Sequence, residues 1–212
     1  MKAALIFAGL VSFATMGANA QSEKLVGGPC EGCEAVFQGR PAALAPRASL
    51  VTAGEPGEKL VVQGAVRDVA GKAVPGIIVY AYQTNAAGIY PPNDRAGGAA
   101  ARRHGMLRGF ALTDKDGSYR FDTVRPASYP NTDIPQHIHM HIVEPGRCTY
   151  YIDDVLFEDD PKLTPQKRRI EVHGRGGNGV VQPQRAADRT WQVTRDIVLG
   201  RGIADYADCG KQ

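Results

Sequence analysis

The sequence predicts an all-β sandwich with long loops. Glycine and proline are abundant, with 25 and 14 copies in 212 residues, and segments with helical periodicity are few. Short runs rich in β-formers recur between turn signals, which is the pattern of a sandwich. About 190 residues follow the predicted leader, enough for one domain with a sizeable core. The formal net charge is +3 with no basic stripe, so nothing suggests a nucleic-acid partner.

The first 20 residues have the features of a Sec signal peptide. Lys2 precedes a short apolar run, and Ala18-Asn19-Ala20 forms a small-residue cleavage pattern. The run is too short and too rich in small residues for a good membrane span. We therefore predict export to the periplasm or the medium, a mature chain that starts at Gln21, and no membrane span after cleavage.

The mature chain divides at about residue 58. Residues 21–58 lack long apolar runs and are predicted to form an N-terminal arm that packs over a sandwich domain at 59–212. The domain begins with the predicted strand LVVQGAVRD from Leu60. A turn and a second strand, IIVYAYQ, follow, and the alternation places Tyr80 and Tyr82 on one face.

A long loop around Gly88 and Tyr90 comes next, in which Ala99 to Arg103 could form one helical turn. Long loops in compact β domains often carry function, so Tyr90 is a candidate site residue, with an ordinary buried tyrosine as the equal alternative. The segment LRGFALTDKDGSYRFDTV predicts two strands joined by a hairpin turn at 114–117. Because most oxygen ligands of a calcium loop are missing there, we do not expect calcium.

The segment HIHMHIV predicts a strand with two distinct faces. A strand turns successive side chains to opposite sides, so His137, His139 and His141 share one face, opposite apolar residues. Imidazole is the commonest metal ligand, and histidines at i and i+2 lie about 7 Å apart along a strand, close enough to converge on one ion. One face is predicted to be core and the other to hold a metal.

The remaining segments complete the predicted sandwich. CTYYIDDVLF is another strand, and TWQVTRDIVL is the last one, with Arg195 on its apolar face. The loop at 174–179 matches GxGxxG, but the proline in VVQPQ prevents the helix that a dinucleotide site needs. His104 and His173 lie in or beside loops and are given no role.

The chain has four cysteines, Cys30, Cys33, Cys148 and Cys209. In an exported chain, cysteines form disulfides more often than metal sites, and no second CxxC supports zinc or redox chemistry. Four cysteines allow three pairings, and the sequence alone does not choose among them.

Three fragments, taken together and in order, carry a resemblance to a known family. They are GAVRDVAGKAVPGIIVYAYQTNAAGIY, LRGFALTDKDGSYRFDTVRPASYP and PQHIHMHIV. Over about residues 60–160 the chain resembles the iron-binding core of the intradiol ring-cleavage dioxygenases. The first and second fragments also occur in non-catalytic transthyretin-like sandwiches. The combination of two tyrosines with the HIH segment is specific.

The resemblance implies non-haem Fe(III) bound by Tyr90, Tyr129, His137 and His139. It further implies a small aromatic diol and dioxygen as reactants, cleavage between the two hydroxyl-bearing carbons, and a muconate-type diacid as product. Tyr129 matches the tyrosine that leaves the metal and accepts a substrate proton, so it is the expected catalytic residue. Phenolate is a hard, strongly donating ligand that suits ferric iron.

Two positions depart from the family pattern. Ile134 stands where catalytic members have an arginine, and Asp154 stands where they have a glutamine. Asp154 could replace that glutamine as a polar group near the substrate. His141 is expected to be a polar-face residue, with a supporting place behind the metal ligands as the alternative. The second hypothesis is a non-catalytic sandwich module that binds a partner or is structural, with a retained or vestigial metal site. The oligomeric state stays open.

Overall fold

The computed structural model describes residues 24–30 and 32–210. The predicted signal peptide and the predicted start of the mature chain, Gln21, lie outside these residues. Two β-sheets dominate the described chain and pack face to face, which confirms the predicted all-β sandwich. None of the described helices has the length and apolar character that crossing a bilayer requires.

The described strands and helices follow one another along the chain with long connections. The strands are β1 (Lys24–Leu25), β2 (Arg47–Ser49), β3 (Lys59–Arg67), β4 (Ile78–Gln83), β5 (Arg108–Leu112), β6 (Ser118–Val124), β7 (His137–Glu144), β8 (Cys148–Phe157), β9 (Val180–Val181), β10 (Gln184–Arg185), β11 (Trp191–Thr194) and β12 (Ile197–Val198). The α-helices are α1 (Ala99–Arg103) and α2 (Pro165–Glu171), and the 3-10 helices are Cys33–Phe37 and Tyr206–Asp208.

The first sheet has the order β1-β8-β7-β4-β5, with β9 added to β8. The second sheet has the order β10-β11-β3-β6-β2, with β12 added to β3. Alternate residues of both sheets point inward, and the main core forms between them around Val79, Ile142, Phe121 and Val193. Burial of such side chains is the main stabilising contribution to a sandwich.

A further layer covers the outer face of the first sheet. The 3-10 helix Cys33–Phe37 and helix α1, which confirms the predicted helical turn, pack with Tyr80 and Tyr82 in a second apolar cluster. All six residues of β4 are consequently buried, because one face meets the sandwich core and the other meets this layer. The layer thereby covers part of the outer face of β4 and β7, and the candidate site forms on this outer face.

Three local features differ from, or add to, the expectations. The turn at Asp114–Gly117 is present, but β5 and β6 enter different sheets, so the predicted hairpin is wrong as a pairing. The last predicted strand is split into β11 and β12 at Arg195, whose buried guanidinium donates to the Gly176 carbonyl oxygen. Within residues 24–58, predicted as an arm, β1 joins the first sheet and β2 joins the second.

Two disulfides connect the four cysteines. One joins Cys30 to Cys33, and the other joins Cys148 in β8 to Cys209 in the C-terminal segment. The structure thereby confirms the expectation of disulfides and selects one of the three possible pairings. The second bridge ties the end of the described chain to the start of β8 in the first sheet.

Candidate metal site

The four predicted ligands come from two kinds of element. His137 and His139 lie on β7 and point outward, whereas Ile138 and Met140 point into the core. Tyr90 lies in the loop after β4, and Tyr129 lies in the connection between β6 and β7. Strand alternation therefore places the imidazoles, and two loops that fold over the same face bring the phenols to them.

The candidate ligand atoms of these side chains converge. The Tyr90 and Tyr129 hydroxyl oxygens are 2.7 Å apart. The His137 and His139 Nε2 atoms are 3.1 Å apart, and Tyr129 Oη is 3.1 Å from the former and 3.5 Å from the latter. His139 Nε2 is also 3.1 Å from Tyr90 Oη. Bonds of about 2 Å from nitrogen or oxygen to one metal ion separate neighbouring ligand atoms by about 3 Å, which matches these distances.

The outer hydrogen bonds of the two histidines fix their tautomers. His137 Nδ1 donates to the Pro135 carbonyl oxygen at 2.8 Å, and His139 Nδ1 donates to Asp154 at 3.1 Å. A carbonyl oxygen can only accept, so the proton of neutral His137 is on Nδ1. In the neutral forms of the two rings, both Nε2 atoms therefore present lone pairs to each other with no hydrogen between them. A bound cation would remove the resulting repulsion, so the residues fit a metal ion.

Burial sets the protonation of the site. The pKa of Tyr90 is raised well above its ordinary value, first by burial and then by its hydrogen bond with Tyr129. The pKa of His137 is lowered, by burial and by the neighbouring His139. His137 is thus ready as a neutral ligand, whereas the Tyr90 phenol gives up its proton only when a cation takes the proton's place.

A β-bulge places Asp154 beside His139. The register between β7 and β8 shifts at this point, because Ile138 pairs with Val155 and Met140 pairs with Ile152. Both Asp153 and Asp154 therefore stand opposite the single residue His139. Bulges often redirect a side chain next to a functional site, and here the redirected carboxylate accepts from a ligand histidine.

The environment keeps Asp154 ionised. Burial alone would raise its pKa, but its interactions with His139, which include the hydrogen bond from Nδ1, outweigh burial and hold the pKa below its ordinary value. Gly179 passes close to the same residue: a Cβ there would lie 2.3 Å from the Asp154 carbonyl oxygen, so only glycine fits. The sequence suggests Asp154 as a polar group near a substrate, and the structure shows its hydrogen bond with His139.

Two cavities open beside the converging atoms. The larger, of about 450 Å³, is lined by Tyr90, Tyr129, His139, Tyr82 and His104, among others. The smaller, of about 200 Å³, is lined by apolar residues that include Ile134, together with Tyr129, His137 and His139. Ile134 therefore lies beside the site, as its place in the sequence pattern implies.

Several residues near the site were not assigned a role from the sequence. His104 stacks on Tyr82 at 3.5 Å between ring centroids, and Tyr82 stacks on His139 at 4.4 Å. His141 shares the ligand face, as expected, but is buried under the covering layer. The pairing of Tyr80 with Tyr82 on one face was visible in the sequence, whereas no pattern marked a lone histidine in a loop.

Comparison with known proteins identifies the family to which the chain belongs. A family model described as Dioxygenase matches residues 37–170. The protocatechuate 3,4-dioxygenase beta chain of Burkholderia cepacia is 35% identical over 116 residues, which are 52% of this chain and 49% of that protein. The catechol 1,2-dioxygenase of Candida albicans is 32% identical over 135 residues, or 54% and 43% of the two chains. This chain thus spans about half the length of these relatives.

A solved structure supports the same family. The dioxygenase domain of a dioxygenase and carbohydrate-binding protein fusion from Streptomyces sp. SirexAA-E is 27% identical, with a TM-score of 0.56. The match covers 75% of this chain and 90% of that one. The 3-chlorocatechol 1,2-dioxygenase of Rhodococcus opacus 1CP, 18% identical with a TM-score of 0.57, shares the fold. The chain belongs to the dioxygenase family, and its core is that of the intradiol ring-cleaving members.

Proposed function

We propose that the protein is an exported intradiol dioxygenase that binds non-haem Fe(III) through Tyr90, Tyr129, His137 and His139. The observation that carries the proposal is the approach of two histidine Nε2 atoms and two phenol oxygens in one partly buried place. Hard phenolate oxygens favour a ferric ion, and imidazoles complete the set. When bound, the ion would act as a Lewis acid that binds and orients the substrate.

We propose a catechol-type aromatic diol as the substrate, cleaved by dioxygen between its two hydroxyl-bearing carbons to a muconate-type diacid. The larger cavity supports this choice because its walls include the aromatic rings of Tyr82 and Tyr151. Tyr129 Oη lies within 3.5 Å of three other ligand atoms and borders both cavities. It is therefore suited to accept a proton from the diol as the expected catalytic residue.

The visible absorption spectrum tests the iron site. Tyrosinate bound to ferric iron absorbs visible light, so the iron-loaded protein should be red to brown, and a catechol should shift the band. Tyr90→Phe should lose most of this absorption because it removes one phenolate. The matched control is Tyr151→Phe, which changes a tyrosine of the cavity wall outside the ligand set. A colourless protein with stoichiometric bound iron would refute the tyrosinate ligands.

Oxygen uptake tests the reaction. Catechol, hydroxyquinol and protocatechuate are supplied to the iron-loaded protein, and the product is checked for a ring-opened diacid. Because Ile134 offers no cation for a substrate carboxylate, we expect protocatechuate to react more slowly than the uncharged diols. A coloured, diol-binding protein without oxygen uptake would instead support a non-catalytic binding module.

A further inference from the structure

One wall of the larger cavity contains a histidine with a fixed orientation. His104 Nδ1 lies 2.8 Å from Tyr80 Oη, and Arg108 Nε donates to the same oxygen at 2.8 Å. The Arg108 guanidinium is itself held by the carbonyl oxygens of Ala35 and Gln38, at 2.8 and 2.7 Å. Both His104 and Tyr80 are buried, so this chain of hydrogen bonds is shielded from competing water.

The chain of hydrogen bonds determines where the His104 proton is. Arg108 can only donate, so Tyr80 Oη accepts from it. Among the described residues, His104 Nδ1 is the one acceptor within reach of the Tyr80 hydroxyl hydrogen, so we assign Tyr80 as the donor in this pair. Burial, followed by the nearby His141, lowers the pKa of His104 to about 3, so the ring is neutral. The neutral ring must then carry its proton on Nε2. His104 is consequently a hydrogen-bond donor with one defined direction.

Packing holds the ring in place without satisfying this donor. The His104 and Tyr82 rings are nearly parallel, with 7° between their planes, and Tyr82 separates His104 from the ligand His139. A Cβ on Gly32 would lie 2.6 Å from His104 Nε2, so glycine leaves the space around that atom. Within residues 24–30 and 32–210, no hydrogen-bond acceptor contacts Nε2. The ring lines the cavity, so a molecule bound there can supply the acceptor that this donor lacks.

The larger cavity connects His104 to the candidate metal site. It is lined at once by His104 and by three of the four ligand residues, Tyr90, Tyr129 and His139. The smaller cavity has less than half its volume and is lined by Ile134, Pro135 and Leu156 on its apolar side. The larger cavity therefore offers a substituted diol enough space, aromatic walls and the Nε2 donor of His104.

We infer that His104 contacts the bound aromatic diol and donates its Nε2 hydrogen to an uncharged oxygen substituent on the ring. The inference rests on the proposed function, since it assumes that the diol is held by the metal ligands. A neutral donor favours a hydroxyl, methoxyl or carbonyl oxygen without requiring a charge on the substrate. The nearby cation, Arg103, is half exposed and has Glu34 at 3.8 Å, which weakens it as a carboxylate site.

Two substrates of similar size test the donor. Hydroxyquinol offers a ring oxygen as acceptor, whereas 4-methylcatechol has a methyl group in its place. The dissociation constants of both are measured anaerobically from the visible band of the iron-loaded protein, and kcat/KM from oxygen uptake. The wild type should prefer hydroxyquinol, and His104→Phe should reduce this preference about five- to tenfold, the effect of one hydrogen bond. His104→Gln, which keeps a neutral donor, should retain part of it.

Two further variants separate this role from a structural one. Tyr80→Phe leaves the His104 ring but removes the partner that fixes the position of its proton. The preference for hydroxyquinol over 4-methylcatechol should therefore fall in this variant as well. His173→Gln changes an exposed histidine outside the cavity and should keep the wild-type preference. An unchanged preference in coloured His104→Phe and His104→Gln proteins would overturn the inference and leave the proposed function intact. A wild-type protein without the iron band would refute the proposed function itself.

Discussion

Asp154 lies outside the set of candidate ligands but forms a hydrogen bond with one of them, His139. Its carboxylate accepts from His139 Nδ1 and thereby orients the ring and strengthens Nε2 as a ligand. Asp154→Asn keeps the shape but removes the charge, and we expect iron affinity to fall about 10- to 100-fold. Competition with a chelator measures the affinity, and the exposed turn variant Asp116→Asn is the control. Equal affinities for the wild type and Asp154→Asn would contradict this role.

His104 predicts a loss of stability in acid. Its pKa is about 3 in the folded protein and about 6.5 in the unfolded chain, so the unfolded chain binds more protons between these values. The stabilising contribution of the neutral His104 ring is fully present above pH 6.5. Below pH 6.5 the free energy of unfolding falls by up to about 1.4 kcal/mol per pH unit. Urea unfolding at pH 7.5 and at pH 5 should show that the free energy of unfolding changes less with pH in His104→Phe than in the wild type. An equal change in the free energy of unfolding between these two pH values in both proteins would argue against a buried neutral ring.

The four candidate ligand residues, which the structure brings together, could be named from the sequence, whereas the contacts that surround them could not. Period-2 alternation places His137 and His139 on one face from local sequence alone, and the family pattern adds Tyr90 and Tyr129. His104 and Asp154 depend on a loop that packs over a sheet and on a bulge between two strands. Both are long-range features without a local sequence signal. The role of Asp154 toward His139 could therefore be seen only in the structure.

At the level of elements, the two disulfides should contribute unequally to stability. Cys148 and Cys209 are separated by 61 positions, whereas Cys30 and Cys33 are separated by 3. In the chain-entropy account, closing the longer loop stabilises the folded state by about 4 kcal/mol and the shorter by about 1.5 kcal/mol. Denaturant unfolding of two double variants, each with one cysteine pair changed to alanine, measures the difference. A larger loss from the Cys30 and Cys33 pair would contradict the prediction.

The strands were predictable as segments, but their partners were not. Alternation located β3, β4, β7 and β8 because one face of each meets the main core. The turn after β5 has the same chemistry as a hairpin turn, with Asp114 Oδ1 accepting from two backbone amides. Whether the next strand pairs with its neighbour or crosses to the other sheet depends on the packing of the whole sandwich. Local turn residues carry no information on that choice.

At the level of the whole molecule, we propose export with cleavage after Ala20. The motivation is the n-region, apolar run and small-residue pattern at the start of the sequence. Intact-mass analysis of protein recovered from the periplasm or medium should show a chain that begins at Gln21 and lacks four hydrogens, two per disulfide. A secreted chain that retains residues 1–20, or that has free thiols at all four cysteines, would refute this expectation.

The candidate site lies on the outer face of the first sheet, outside the core between the sheets. The residues that hold the fold together and the residues that would hold the ion therefore belong to different layers. Substitution of a ligand removes metal chemistry while the interior packing keeps its contacts. Descendants of such a gene can lose or exchange their chemistry by a few changes on one surface, without first having to rebuild the scaffold.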